Sequence, residues 1–183
     1  IKHLTVNYEG VNYLSKTHAD YNADIDADLK NEIYTLKKNK LFLNELLIEF
    51  DGSVSMINED INIVMTFETP KTEFKEILSL VPAIYSSDFE NVQATGKMSL
   101  DGHVKGIYNE TSLPAFSVNL SVDDAEFNYP ELPQAVSNVN ILTKIHSTGG
   151  DADNTIVDVS NFHMELGQNP LDASLLVKTP VSD

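Results

Sequence analysis

The sequence predicts a mainly β protein whose strands form a long antiparallel meander. We expect the sheet to be strongly curved and open, U-shaped or half-barrel, with one short amphipathic helix near residues 71–81. Two observations support this: apolar and polar residues alternate with a period of two along most of the chain, and turn-forming pairs such as Asp-Gly separate these segments. Clean alternation favours antiparallel pairing, because strands of parallel sheets are usually buried on both faces.

The clearest alternation runs from Tyr21 to Leu29. Apolar residues hold the odd positions and Asn22, Asp24, Asp26 and Asp28 the even ones, so the pattern predicts one strand with a buried and a wet face. The same pattern predicts about ten strands in all. Their further apolar positions are Leu46, Ile48 and Phe50; Ile61, Ile63, Met65 and Phe67; Val92, Ala94, Gly96, Met98 and Leu100; Phe116, Val118, Leu120 and Val122; Phe162, Met164 and Leu166; Leu171, Ala173, Leu175 and Val177.

Turn-forming residues predict where the chain reverses. Asp and Gly tolerate the backbone conformations that hairpin turns require. We therefore expect reversals at Asp51-Gly52, Asp101-Gly102, Asp123-Asp124 and Gly149-Gly150-Asp151.

One segment, Lys71 to Leu80, breaks the alternation. Thr72 is a suitable N-cap, and the following apolar residues have helical spacing. Val81-Pro82 would end the helix, since the residue before a proline disfavours the helical conformation. The residues predicted to pack the helix on the sheet are Phe74, Ile77, Leu78 and Val81.

The length of 183 residues predicts a single β-rich domain over 1–183. An alternative division has two β units, about 1–90 and 91–183, around the helix. It rests on a weak internal echo, because residues 46–70 and 162–180 each run strand, glycine, strand and end in Thr-Pro.

Charge excludes several classes of partner. The chain has 12 basic and 28 acidic residues, giving a net charge of −16, and every basic residue is a lysine. Binding nucleic acid or anionic headgroups requires clustered cations, so neither is expected as a partner. The alternation also places many of the acidic residues opposite the apolar stripes, as the soluble exterior of the sheet.

The ends and the cysteine count bear on the setting of the chain. It has no cysteine, so a disulfide, a thiolate metal site and a cysteine nucleophile are excluded. It begins at Ile1 without a charged and then apolar leader, and no apolar run approaches about 18 residues. We expect an internal fragment of a longer protein, with no membrane span in this part.

No motif predicts an enzyme, a metal site or a cofactor. The five histidines lie far apart in sequence, and the Asp24, Asp26, Asp28 series lacks the glycine and the final acid of a calcium loop, whose positions hold Leu29 and Thr35. There is no G-x-S-x-G elbow for a serine nucleophile. We therefore expect no catalytic residues.

The apolar face of the sheet has two interpretations. If the sheet closes into a sandwich, these side chains are core. If it curls without closing, they line a groove, and lipid acyl chains are the natural occupants of an apolar groove. Periodicity alone is compatible with both.

Several segments in succession resemble the AsmA family, in the version found in Bacteroidetes-type bacteria. The resemblance extends from about Tyr8 to the last residue and is most specific over residues 70–133. It is carried by Phe74-Lys75-Glu76-Ile77-Leu78-Ser79-Leu80-Val81-Pro82-Ala83-Ile84-Tyr85, Asp88-Phe89, Thr95-Gly96, Leu100-Asp101-Gly102-His103-Val104-Lys105-Gly106-Ile107-Tyr108, Pro114-Ala115-Phe116 and Phe127-Asn128-Tyr129-Pro130-Glu131-Leu132-Pro133.

The resemblance implies a setting and a function. AsmA-like proteins are similar to TamB, are anchored in the inner membrane of Gram-negative bacteria, and lie mostly in the periplasm. They form long open β structures with an apolar trough, and contribute to outer-membrane biogenesis and phospholipid transport. The resemblance therefore implies a periplasmic, non-enzymatic segment, with phospholipid acyl chains and other envelope proteins as partners.

The alternation and the resemblance together identify a candidate lipid groove. Its predicted lining is Ala94, Met98, Leu100, Phe116, Val118, Leu120 and Val122. The competing role for each residue is ordinary packing beneath the helix. The alternative function is a closed β-sandwich module for interaction or adhesion, binding a protein or a glycan.

Overall fold

Eleven strands form one antiparallel sheet in the computed structural model, which describes residues 1, 3–8, 11–58, 60–70, 72–78, 93–128 and 134–181. A separate pair of strands, β1 and β2, precedes it. The strands are β1 Leu4–Tyr8, β2 Val11–Thr17, β3 Ala19–Asn22, β4 Ile25–Asp28, β5 Ile33–Leu43, β6 Leu46–Ile57, β7 Asp60–Glu68, β8 Thr72–Glu73, β9 Gln93–Tyr108, β10 Ala115–Asn128, β11 Val136–Ser147, β12 Thr155–Leu166 and β13 Asn169–Lys178. The helix α1 is Phe74–Leu78.

The strand order is the predicted meander. From one edge it reads β13, β12, β11, β10, β9, β7, β6, β5, β3, and every pairing is antiparallel. β4 also pairs with β5, and the short β8 pairs with β9. The sheet is not closed into a barrel. The prediction of a mainly β, open, antiparallel fold with one short helix is therefore confirmed.

The strand predicted from Tyr21 to Leu29 is two strands. β3 and β4 pair with different parts of β5, and the side chain of Asn39 fills the break between them. Its Oδ1 accepts hydrogen bonds from the Tyr21 hydroxyl, 2.8 Å, and the Asp24 N–H, 3.2 Å, while its Nδ2 donates to the Asp24 carbonyl, 3.2 Å. Buried Asn39 thus supplies hydrogen bonds where the strand ladder is interrupted between β3 and β4, which period-two alternation does not reveal.

Three of the four predicted reversals are wrong. Asp51-Gly52 lies inside β6, Asp101-Gly102 inside β9 and Asp123-Asp124 at an irregularity inside β10. Gly102 serves packing instead, because an added Cβ would lie 3.0 Å from Cε1 of Phe67, whose ring occupies the space above the glycine. Only Gly149-Gly150-Asp151 lies at a reversal, between β11 and β12.

The helix begins later than predicted. It covers Phe74–Leu78, whereas Thr72 and Glu73 form β8 and pair with Met98 and Lys97 of β9. Thr72 is therefore a strand residue and not an N-cap. Backbone pairing with β9 outcompetes a first helical turn because β9 extends past the end of β7. Predicted Val81 lies outside the described residues.

The main buried cluster lies where α1 packs on the sheet, while Ala19 and Leu46 are buried outside it. It contains Phe74 from α1 together with Met98, Val122, Ala125, Val136 and Val139 from β9, β10 and β11. The rings of Phe74 and Phe127 are 6.4 Å apart. The helix therefore seals one end of the sheet's apolar side.

Candidate apolar binding face

One side of the large sheet carries almost only apolar side chains, and we call it the apolar face. Because opposite residues of antiparallel strands point to the same side, the strand register assigns every position. One row runs Ile25, Leu36, Gly52, Met65, Val104 and Phe116; the next runs Phe50, Phe67, Gly102, Val118, Ile145, Val157 and Val177. The face thus continues across the whole sheet.

All seven residues predicted to line a groove lie on the apolar face, in three environments. Met98 and Val122 are fully buried in the core beneath α1. Ala94, Leu100 and Leu120 pack partly buried against that core. Phe116 and Val118 lie beyond it and remain half-buried.

The residues predicted to pack the helix on the sheet also differ in how deeply they are buried. Phe74 is buried in the core and Ile77 packs against it. Leu78 is the last residue of α1, and its side chain lies outside the described part of the structure. These positions leave the part of the apolar face around Phe116 and Val118 outside the core cluster.

The surface area of the chain agrees with an incompletely sealed apolar face. The accessible surface is 11856 Å², whereas a compact monomer of this mass exposes about 8,800 Å². A single layer of sheet exposes more surface than a compact monomer, because most of its side chains have protein on one side only. Tyr21, Ile25, Leu171 and Leu175, all on the apolar face, are exposed.

The opposite side of the sheet, the polar face, carries the charge. Outside the bulges at Lys37, Lys38 and Asp124, the register places every Asp, Glu and Lys side chain of the large sheet there. A depression of about 490 Å³ on β5, β6 and β7 includes Lys38, Lys40, Glu49, Asp51 and Glu68 among its lining residues. The acidic residues are thus distributed as the alternation predicts.

Three acidic residues lie side by side on the polar face. Glu49 is directly opposite Glu68, and Glu68 is directly opposite Asp101. Among the described residues, Glu49 alone of these three has an ion pair, with Lys40 Nζ at 2.7 Å. Like charges directly opposite one another destabilise a sheet.

Replacing Glu68 by lysine should therefore stabilise the protein, by up to about 1 kcal/mol. The new cation would stand between Glu49 and Asp101. Urea unfolding at low and high salt measures the gain, which should shrink as salt screens the charges. Glu110→Lys, the same charge change in the exposed segment after β9, is the control; an equal gain there would show that net charge, and not the acidic row, is responsible.

The titratable groups of the described residues do not converge on a centre. No group of three or more His, Asp and Glu side chains among them is placed to hold a metal ion. His163 Nδ1 lies 2.7 Å from Asp172 Oδ1 on the polar face. The Asn31 side chain and the backbone N–H groups of Asn31 and Lys30 donate to Asp28, which holds the pKa of that carboxyl below its usual value.

The chain matches no family model, and no curated protein or solved structure is significantly similar to it. Among the residues described, no helix combines the length and the apolar character needed to cross a membrane.

Proposed function

We propose that the chain binds lipid acyl chains on its apolar face, as a non-enzymatic segment of an AsmA-like envelope protein. In this proposal it is a periplasmic part of a protein anchored in the inner membrane, and contributes to phospholipid transport and outer-membrane biogenesis. The observation that carries the proposal is an apolar face that continues across an open sheet and, in the described part of the chain, extends past the core cluster under α1.

The physical argument rests on the difference between the two faces. Half-buried apolar side chains in neighbouring rows are costly in water, and a contiguous apolar surface of this kind marks a binding site. Acyl chains are long, flexible and apolar, so they match a surface without charged groups. The acidic polar face keeps the same sheet in solution.

The part of the face around Val118 is the best candidate for lipid contact. Val118 lies opposite Gly102 on one side and Ile145 on the other, outside the core under α1. The missing side chain of Gly102 lowers the surface beside it, although the ring of Phe67 fills part of that space.

Replacing Val118 by aspartate should weaken lipid binding by about tenfold or more, because burying a carboxylate against an acyl chain costs several kcal/mol. Fluorescently labelled phosphatidylethanolamine, transferred from vesicles to the purified chain, provides the measurement. Val64→Asp is the matched control, since Val64 lies on the polar face and is exposed. Thermal unfolding of both variants separates loss of binding from loss of fold.

Two results would contradict the proposal. One is that the purified chain takes up no labelled phospholipid. The other is that Val118→Asp and Val64→Asp, both folded, bind it equally well. Reproducible glycan or protein binding without lipid uptake would instead support the alternative of an interaction or adhesion module; the closed sandwich expected with that alternative is not the observed fold, which is one open sheet.

A further inference from the structure

Along β9 the apolar face changes from sealed to open. Met98 is 1% exposed in the core under α1, whereas Tyr108, at the other end of the strand, is 47% exposed. Leu100 still packs against the core, and the next position of β9 on the apolar face is Gly102. β9 therefore leads directly from a dry interior to an exposed end of the apolar face.

The ring of Phe67 marks where the sealed part ends. It lies over Gly102, since a Cβ added to that glycine would be 3.0 Å from Cε1 of the ring. Val118 of β10 flanks Gly102 on the other side. The ring thus lies across β9 as a wall, with Leu100 and the core behind it and the open part of the apolar face in front.

In front of this wall, the side chains of β9 are smaller than those of the strands beside it. Val104 lies between Met65 of β7 and Phe116 of β10. Gly106, which has no side chain, lies opposite Ile63 of β7. Val104 and Gly106 are thus the floor of a furrow along the strand, which we call the β9 furrow.

The length and polarity of the β9 furrow match one acyl chain. From Gly102 to Tyr108 the strand extends about 20 Å, similar to an extended palmitoyl chain. Between these two residues the register places no polar side chain on this side of β7, β9 and β10. The outer end meets the polar turn after β9, where Asn109 Nδ2 donates to Asp60 Oδ1 at 2.9 Å. An acyl chain would therefore enter with its methyl end toward Phe67 and leave its ester at the polar end.

We infer that one acyl chain of a bound phospholipid lies in the β9 furrow with its methyl end against the Phe67 ring, so that Phe67 sets the longest chain that fits. This arrangement rests on the proposed function and makes Phe67 a specificity-determining residue. Each methylene buried in the furrow should raise the affinity about fourfold until the chain reaches the ring. The carboxylates of Asp60 and Glu110 at the outer end favour a headgroup with an ammonium group over an anionic one.

A purely structural role for the ring has a different consequence. If Phe67 only packs on Gly102, its removal changes the stability of the sheet but not which acyl chain binds best. The dependence of affinity on chain length therefore distinguishes the two roles, whereas a loss of stability alone does not.

Single-chain lysophosphatidylethanolamines test the furrow, because each offers one acyl chain of defined length. A series from lauroyl to arachidoyl, kept below the critical micelle concentration, is titrated against the purified protein loaded with labelled phosphatidylethanolamine. Displacement should strengthen from lauroyl to palmitoyl and then reach a plateau. Phe67→Ala removes the wall and should move the plateau to longer chains, with arachidoyl displacing the label at least about tenfold better than palmitoyl.

Phe50→Ala is the matched control. Phe50 lies directly opposite Phe67 on β6 and also faces the apolar side, but its ring stacks on Tyr21, with the ring centroids 5.8 Å apart, away from β9. Its plateau should stay at palmitoyl. Val104→Phe fills the furrow and should move the plateau to shorter chains. Phe67→Leu retains an apolar side chain that is too short to cover Gly102, and it replaces Phe67→Ala if the alanine variant does not fold.

The outcomes separate this arrangement from lipid binding itself. Affinity that keeps rising beyond palmitoyl in the unmodified protein, or the same plateau in Phe67→Ala and Phe50→Ala, would overturn the role of Phe67 while leaving phospholipid uptake intact. Absence of displacement by every lysolipid would overturn it as well. Absence of phospholipid uptake would overturn the proposed function together with it. Thermal unfolding shows which variants are folded.

Discussion

Replacing Gly96 by alanine should lower the free energy of unfolding by about 3 kcal/mol. Gly96 lies in β9 with a φ of +106°, a conformation that side chains disfavour. An added Cβ would lie 2.6 Å from the Cβ of Ala125, which is completely buried and has no room to withdraw. Backbone strain and overpacking therefore add, and thermal unfolding should shift down by roughly 10 °C.

Gly150→Ala is the control that separates these two contributions. Gly150 also has a positive φ, +82°, but the nearest atom to an added Cβ is Nδ2 of Asn154 at 3.4 Å. Only the conformational cost applies, so the loss should be about 1 kcal/mol. Equal losses in the two variants would show that the close approach of β9 and β10 at Ala125 contributes nothing.

Met98→Ala should also lower the free energy of unfolding by about 3 kcal/mol. Met98 is 1% exposed at the centre of the core, opposite Val122 and among the residues that pack around Phe74 of α1. Truncation removes buried apolar surface and leaves a cavity beneath the helix. Denaturant unfolding measures the loss, and amide hydrogen exchange in α1 should accelerate because the helix loses part of its support.

The matched control for this cavity is Met56→Ala. Met56 also lies on the apolar face of the sheet, in β6, but it is 41% exposed. Its truncation should cost less than about 1 kcal/mol. If the two methionines respond equally, the division of the apolar face into a sealed core and an open remainder is incorrect.

The sequence was sufficient to predict the meander and the two faces of the sheet, because period-two alternation records which side of each strand meets water. All the described apolar positions in the alternating segments after Leu46 lie on the apolar face. Alternation does not record strand length. Gly102 and Gly52 therefore suggested turns, although both lie inside long strands. The absent side chain leaves room for Phe67 beside Gly102 and for the backbone of Val64 beside Gly52.

The edge and the helix could not be predicted for a different reason. Asn39 is an ordinary polar residue in the sequence, and only its three hydrogen bonds at the break between β3 and β4 reveal its structural role. Thr72 has the same helix-capping chemistry whether or not a strand is available to pair with it. In both places a partner distant in sequence decides between local alternatives. For Asn39 the partners are Tyr21 and Asp24, and for Thr72 the partner is β9.

The meander also determines how local weakening of one strand pair affects the rest of the sheet. From β5 to β13 almost every strand contacts only its immediate neighbours in sequence, as in a repeat protein. Each strand is then stabilised mainly by its two neighbours, so weakening one strand pair divides the sheet into two parts that can unfold separately. We expect opening to begin at the outermost hairpin and to stop at β9, β10 and β11, where the helix ties three neighbours into one cooperative unit.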